Sequence, residues 1–474
     1  MSDLREWLAK AEAKGEVKTL KGVPWDLDIG VISEIVERKI DMPVLVFDEI
    51  PGYPPGYRVL LNAIGSMDRF AMTVGFPQGL STVELVQEWR RRMKEAQLLP
   101  PKVVDSGPVM ENVDVGEEVN VLKFPAPKWH ELDGGRYIGT GDMVITRQPE
   151  GGWLNFGTYR VMVHDRNHLG LMIGPGHHGR WQMEKWHAEG KAMPVAIAMG
   201  MDPFLFLVSS REVPAGISEY DFAGAIRGEP IDVIKGPITG LPFPAAAEIV
   251  IEGFIDPEER WPEGPFGEFT GYYAGGVRPQ PVIKVEAVYY RNNPIILGAP
   301  PLKPPAVRDR CREVIQAALI WDALEAAGVP DVVGVWGHQY GGLFIVTAVR
   351  QRYPGHAKQA ARMASQVSAS STLARFSVVV DEDIDVTDMD EVLWAMCTRV
   401  DPDRDIEILR ECLSTPLDPM IPPEKKSYAA ASRVVIDAAR PYEWRDRFPE
   451  VVASSPELRQ QVLARWGEAL RGIV

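Results

Sequence analysis

The sequence predicts an α+β chain of several domains. An N-terminal α/β domain covers residues 1–102 and a central β-barrel or sandwich residues 103–302. A linker helix follows over 303–328, then a C-terminal α/β domain over 329–440 and a helical tail over 441–474. Three observations carry this. At 474 residues the chain exceeds what one hydrophobic core sustains. From about Val103 to Pro300, short apolar runs are punctuated by Gly, Pro and Asn, the pattern of a barrel or sandwich. Beyond Gly328, strand-like and helix-like stretches alternate, which is an α/β pattern with some parallel sheet.

The elements follow in order. Residues 3–15 read as a helix: Asp3 caps it, Leu4, Trp7, Leu8 and Ala11 share a face, and Gly15 ends it. A second helix is expected over 29–39, strands over 43–47 and 57–62, and a third helix over 80–97 whose Arg90-Arg91-Arg92 run reads as a solvated face. Pro100-Pro101 marks a boundary. Strands are then expected at 144–146, 159–163, 169–173, 195–199 and 282–290, with helices only at 181–189 and 222–227. Arg308 to Ala327 is a long amphipathic helix ended by Gly328. Strands at 332–336, 343–349 and 376–380 alternate with helices at 355–369 and 388–397. The acidic run Asp381-Glu382-Asp383-Ile384-Asp385 reads as a solvated strand end, with a divalent-metal site as the alternative. Residues 441–474 suit a tail helix that packs on this domain or on a partner subunit.

Composition narrows the function class. Hydrophobic residues make up 45% and charged residues 25%, ordinary for a globular protein. A net charge of −15 with no offsetting basic patch argues against nucleic acid. The three cysteines, Cys311, Cys397 and Cys412, show no CxxC spacing and fit a reducing cytosol. With neither a leader-like apolar segment nor an eighteen-residue apolar run, a cytoplasmic location is expected, with no membrane partner.

Polar chemistry concentrates in three central clusters. Pro262-Glu263-Gly264-Pro265-Phe266-Gly267-Glu268-Phe269-Thr270-Gly271-Tyr272-Tyr273 reads as a turn shaped by Pro and Gly, holding two carboxylates at a set separation as acid–base chemistry requires. Two solvated acids on a surface turn would look the same in isolation. Asn155-Phe156-Gly157-Thr158-Tyr159-Arg160, continued at Gly174-Pro175-Gly176-His177-His178-Gly179, adds an amide, a guanidinium and two imidazoles among glycines. Ser218-Glu219-Tyr220 adds another carboxylate.

Together these clusters resemble the UbiD family of reversible decarboxylases, which use prenylated FMN. Asn155 to Arg160 is similar to the family's Asn-x-Gly-x-Tyr-Arg segment. The resemblance places His178 and Glu219 as metal-binding residues with Asn155, and Glu263, Arg160 and Glu268 as the catalytic Glu–Arg–Glu set. It continues through Val378 to Val386 and Thr398 to Pro402. It implies a split β-barrel, flavin-reductase-like, as the central domain. It also implies Mn²⁺ (or Mg²⁺) bridging protein and flavin phosphate, K⁺ nearby, a flavin prenyltransferase supplying the cofactor, and a homodimer or hexamer. An amide, an imidazole and a carboxylate form a mixed set that suits those ions better than zinc.

Two departures stand out. Arg433, in Ser432-Arg433, occupies the place where many relatives carry a lysine near the cofactor phosphate; arginine holds phosphate bidentately. His177 is not general in the family and either touches flavin or substrate or supports His178.

The expected activity is decarboxylation of an aromatic, heteroaromatic or α,β-unsaturated carboxylic acid, with release of CO₂ through a covalent adduct to the prenylated flavin. Arg160 fixes Glu263 in its ionised form, while Glu268, beside Phe266 and Phe269, has its pKa raised and serves as proton donor. The chain itself offers no group able to stabilise a carbanion, so a cofactor must act as electron sink. Arg308-Asp309-Arg310-Cys311-Arg312 lies where relatives border the substrate; it reads a second polar group of the acid or is plain surface. The alternatives are an ordinary FMN oxidoreductase, for which no GxGxxG follows a strand, and a non-catalytic flavin-binding protein.

Overall fold

The computed structural model describes residues 3–38, 42–211, 213–304, 307–338, 342–370 and 374–471, with the side chains of residues 150, 307–310 and 456 outside the description. The first helix, Leu4–Ala13, forms as the apolar spacing requires. Asp3 accepts from the Glu6 N–H, and Leu4, Trp7, Leu8 and Ala11 are buried. Val17–Lys21 pairs in parallel with Val44–Asp48, which pairs antiparallel with Arg58–Leu61; Ile295–Leu297 completes this four-stranded sheet from far along the chain. Helix Thr82–Glu95 starts on a capping box of Ser81 and Glu84. A further helix, Met67–Val74, was not foreseen: its eight residues are too few for a clear period. The Arg90–Arg92 run is solvated at Arg91, as expected, but not at Arg90. Arg90 is buried, pairs with Asp322 at 2.8 Å and Glu325 at 2.6 Å, and lies 4.4 Å from the Trp321 ring. It ties this helix to the linker helix.

The central region is built on a nine-stranded antiparallel sheet. Its path runs Arg136–Gly139, Val161–Val163, His168–Leu171, Arg278–Tyr290, Ile249–Glu263, Met193–Met199, Asp142–Arg147, Leu154–Gly157, and Asn112–Val115 adds to Arg278–Tyr290. The first strand of that path and the seventh are joined in sequence by Thr140 and Gly141 alone. A sheet whose distant strands are two residues apart in the chain has to curl until those strands approach, as strand twist favours. Alternation sorts the side chains. Met143 and Ile145 pack in one core with Ala196 and Val250. Val144 packs in the other with Tyr159, Val161, Ile197 and Ile251.

Two expectations are corrected here. Helix Pro203–Ser209, capped by Asp202, joins the two helices expected in this region. Ile249–Glu263 is one long strand, so Glu263 ends a strand rather than sitting within a turn.

Helix Val307–Ala326 leads to a five-stranded sheet ordered Val332–Gly337, Phe344–Val349, Phe376–Asp381, Ala430–Asp437, Ile406–Leu413, with parallel pairing on both sides of Phe376–Asp381. The α/β expectation is met, with two strands added. The acidic run is solvated at Glu382, Asp383 and Asp385, as expected of a strand end, but not at Asp381, which is buried and accepts from Gln351 and Arg399. Asp383 pairs with Arg399 at 2.7 Å, and among the described residues the run does not gather as a metal site. Tail helix Pro456–Trp466 is largely exposed. Among the described residues no helix is long and apolar enough to cross a membrane.

Candidate active site

Arg160 lies between the two glutamates. Its Nε and Nη2 donate to the two oxygens of Glu263 at 2.9 Å each, and its Nη1 donates to Glu268 at 2.8 Å. Sheet order explains the meeting. Arg160 precedes the strand Val161–Val163, and Glu263 ends Ile249–Glu263, three places along the sheet path. Beyond Glu263 the chain turns sharply. Gly264 is left-handed at φ 86°. A Cβ at Gly134 would fall 2.0 Å from the Gly264 carbonyl oxygen, so only glycine fits there. The Glu268 N–H donates to the Tyr272 carbonyl at 2.9 Å, and Phe266 packs on Tyr137 with ring centroids 4.0 Å apart.

The two carboxylates have different surroundings. Glu263 is 1% exposed and takes three bonds, two from Arg160 and one from the Tyr137 hydroxyl at 3.0 Å. Burial raises the pKa of Glu268 above the ordinary carboxylate value, and the nearby Glu263 charge adds to the rise; Arg160, and Lys426 more weakly, oppose it. One acid is locked and the other is raised towards holding a proton, the division of labour that acid–base chemistry uses.

A second cluster surrounds the strand Leu154–Gly157. Asn155 is buried and its amide nitrogen donates to Thr146 at 3.2 Å, so its oxygen is the atom it can offer a cation. Glu219 opens the helix Glu219–Arg227 and accepts from the Phe156 N–H at 2.8 Å. His178 opens the helix His178–Ala188, its ring 4.6 Å from that of Trp153. The Trp153 indole donates to Ile217, binding the Glu219 loop to the same strand. Two helix N-termini therefore flank one strand, a setting that favours an anion. One turn after His178, Gln182 is fully buried: its nitrogen donates to the Trp153 carbonyl, and its oxygen has no partner among the described residues. That buried oxygen is a free acceptor on the flank of the same strand, and an amide, an imidazole and a carboxylate are donors of the kind a hard divalent ion takes. Among the described residues no three His, Cys, Asp or Glu side chains gather as a metal site, so an ion here would depend on an amide.

His177 is exposed at the start of its helix, with its ring nitrogen 3.1 Å from the Gly174 carbonyl and its ring 5.8 Å from that of Tyr159. Arg433 is not brought to either cluster; it is buried in the C-terminal sheet, donating to the Ser365 and Leu413 carbonyls. Lys426 instead crosses from the C-terminal domain and donates to the Ala274 carbonyl. Arg312 donates to the Ser210 carbonyl at 3.0 Å, while the side chains of Arg308 and Arg310 lie outside those described. Sequence reasoning missed Tyr137, Asp142, Gln182 and Lys426. The glycines flanking the first two, in Gly134-Gly135-Arg136-Tyr137 and Gly139-Thr140-Gly141-Asp142, are the local signal of close approach.

Three family models match in chain order, all described as 3-octaprenyl-4-hydroxybenzoate carboxy-lyase: the N-terminal domain over residues 8–93, the Rift-related domain over 102–304 and the C-terminal domain over 311–438. The chain belongs to the UbiD family of carboxy-lyases. It is 32% identical to the pyrrole-2-carboxylic acid decarboxylase of Pseudomonas aeruginosa, over 98% of each chain. It is also 32% identical to a phenolic acid decarboxylase of Bacillus subtilis, over 93% of this chain and 92% of that one. Among solved UbiD-class structures, the vanillic acid decarboxylase of Sedimentibacter hydroxybenzoicus in open form superposes with a TM-score of 0.88 at 31% identity, covering 99% of each chain. HmfF of Pelotomaculum thermopropionicum, in complex with FMN, gives 0.86 at 29% identity over 98% of this chain and 100% of that one.

Proposed function

We propose that the chain is a reversible, non-oxidative decarboxylase of an aromatic or heteroaromatic carboxylic acid, of the phenolic or pyrrole-carboxylate kind named for its relatives. The observation that carries this is the guanidinium of Arg160 held between Glu263 and Glu268 at 2.8–2.9 Å. We read the curled nine-stranded sheet as a split barrel that holds a prenylated flavin. Asn155, His178 and Glu219 would hold Mn²⁺ (or Mg²⁺) and, through it, the flavin phosphate, with K⁺ close by and His177 at the rim. Prenylated flavin, when bound, supplies an electron sink for the pair released as the carbon–carboxylate bond breaks.

The protein's own residues do the remainder. Glu263, fixed by Tyr137 and Arg160, keeps the guanidinium in place, and Arg160 faces the substrate carboxylate while it is still charged. Glu268 delivers its proton to the carbon that CO₂ has left and takes it back in the carboxylation direction. The turn at 264–271 and the ring of Phe266 keep water from this proton.

The test is expression of the full chain with a flavin prenyltransferase, followed by screening phenolic acids and pyrrole-2-carboxylate for CO₂ release and for hydrogen–deuterium exchange into the product. Exchange at the carbon that bore the carboxylate supports the assignment. NADH oxidation without CO₂ release from any acid would replace it with a flavin oxidoreductase.

A further inference from the structure

Asp142 opens the strand Asp142–Arg147, directly after the two-residue link. It is 0% exposed, and neither carboxyl oxygen has a hydrogen-bond partner among the described residues. Its main chain is well held, the carbonyl accepting from Thr158 at 3.0 Å and Ser209 at 3.2 Å. Other buried acids in this region are paired: Glu263 with Arg160 and Tyr137, Glu248 with Arg5, and Glu252 with Tyr289. A buried carboxyl without a partner is costly and rare in a finished site, so its partner belongs to something the site binds.

Position identifies that partner. The Asp142 carboxyl leans over Gly139: a Cβ built there would lie 2.8 Å from Oδ2 and 2.7 Å from Cγ2 of Val161, the residue after Arg160. Four residues on, roughly 13 Å along the strand and on the same face, Thr146 holds Asn155. A mononucleotide with its phosphate at the Asn155 cluster and its ring at Arg160 would therefore lie along this face, with Asp142 at the ring end. At the ring end the carboxyl meets a hydrogen-bond donor. The oxidised isoalloxazine ring has one N–H, the imide N3–H, flanked by carbonyls. Burial raises the Asp142 pKa well above the ordinary value, which favours the acid form, a group with one donor and one acceptor. That pair complements an imide: the acid carbonyl accepts from N–H, and its O–H donates to the neighbouring oxygen.

We propose that Asp142 is a cofactor-binding residue that reads the imide edge of the flavin. The assignment rests on the flavin reading above. It is tested by titrating the full chain, supplied with Mn²⁺, with FMN and with N3-methyl-FMN, and following flavin fluorescence. The wild-type chain should prefer FMN by roughly tenfold or more, the worth of a lost buried hydrogen bond. Asp142→Asn keeps one donor and one acceptor and should retain the preference. Asp142→Leu should bind both flavins with the weaker affinity. Equal affinity of the wild-type chain for the two flavins overturns the proposal without recourse to any variant. An Asp142→Leu chain that still prefers FMN overturns it too. Failure of the wild-type chain to bind FMN at all would instead remove the flavin site, and the two failures are told apart because only the latter abolishes the FMN signal.

Discussion

Tyr137 donates its hydroxyl to Oε1 of Glu263 at 3.0 Å, the same oxygen that accepts from Nε of Arg160. The tyrosine therefore fixes the carboxylate that fixes the arginine, while its ring supports Phe266 at 4.0 Å. Tyr137→Phe keeps the ring and removes the bond. We predict a fall in kcat of roughly tenfold, from one lost hydrogen bond to a charged group, with KM little changed. Full turnover in this variant would show that Arg160 alone positions Glu263.

Glu268→Gln removes the proposed proton donor without changing its size. Decarboxylation and product hydrogen exchange should fall together by roughly a hundredfold or more, the usual worth of a general acid, with bound flavin and metal unaltered. Steady-state CO₂ release and deuterium incorporation measure this, and loss of one without the other would separate proton transfer from bond cleavage.

His178→Ala and Glu219→Gln should act upstream of the chemistry. Both variants are expected to lose divalent metal and flavin on desalting, seen as loss of the visible flavin band and of manganese by metal analysis. A normal flavin spectrum with metal retained after either change would place the ion elsewhere.

The rate should depend on pH with a defined sign. Burial holds the Glu268 proton above the ordinary carboxylate range, so the acid form is lost, and decarboxylation slows, as pH rises through that raised pKa. The charged groups facing Glu268 are Arg160, Glu263 and Lys426, and the two cations pull its pKa down. Lys426→Met removes one of them, so the alkaline limb of kcat should move to higher pH. A limb that stays in place, or moves to lower pH, would show that Lys426 does not reach Glu268.

Much of this was legible in the sequence because the chemistry is carried by local runs. Asn155 and Arg160 share one six-residue stretch, Glu263 and Glu268 another, and the glycines and prolines between them dictate backbone shape without tertiary help. What was not legible depends on partners distant in the chain. Arg90 looks solvated until Asp322 and Glu325 are placed against it. Tyr137 and Lys426 carry no motif and matter only through where the sheets bring them. Helix Pro203–Ser209 is seven residues long, below the span in which helical periodicity can be read. Strand Ile406–Leu413 lies on a sheet edge, and Glu407, Arg410 and Glu411 interrupt it so that no two-residue apolar alternation runs through it.

Within the central sheet, Arg278–Tyr290 lies between His168–Leu171 and Ile249–Glu263. Until that late segment is seated, nothing spaces Glu263 correctly from Arg160, although both are already synthesised. Assembly of the pocket is therefore a high-contact-order event, delayed on the ribosome until the hairpin partner has emerged. A fragment ending at residue 275 would contain every proposed ligand and proton-transfer side chain, yet should retain no flavin on gel filtration beside the full-length protein.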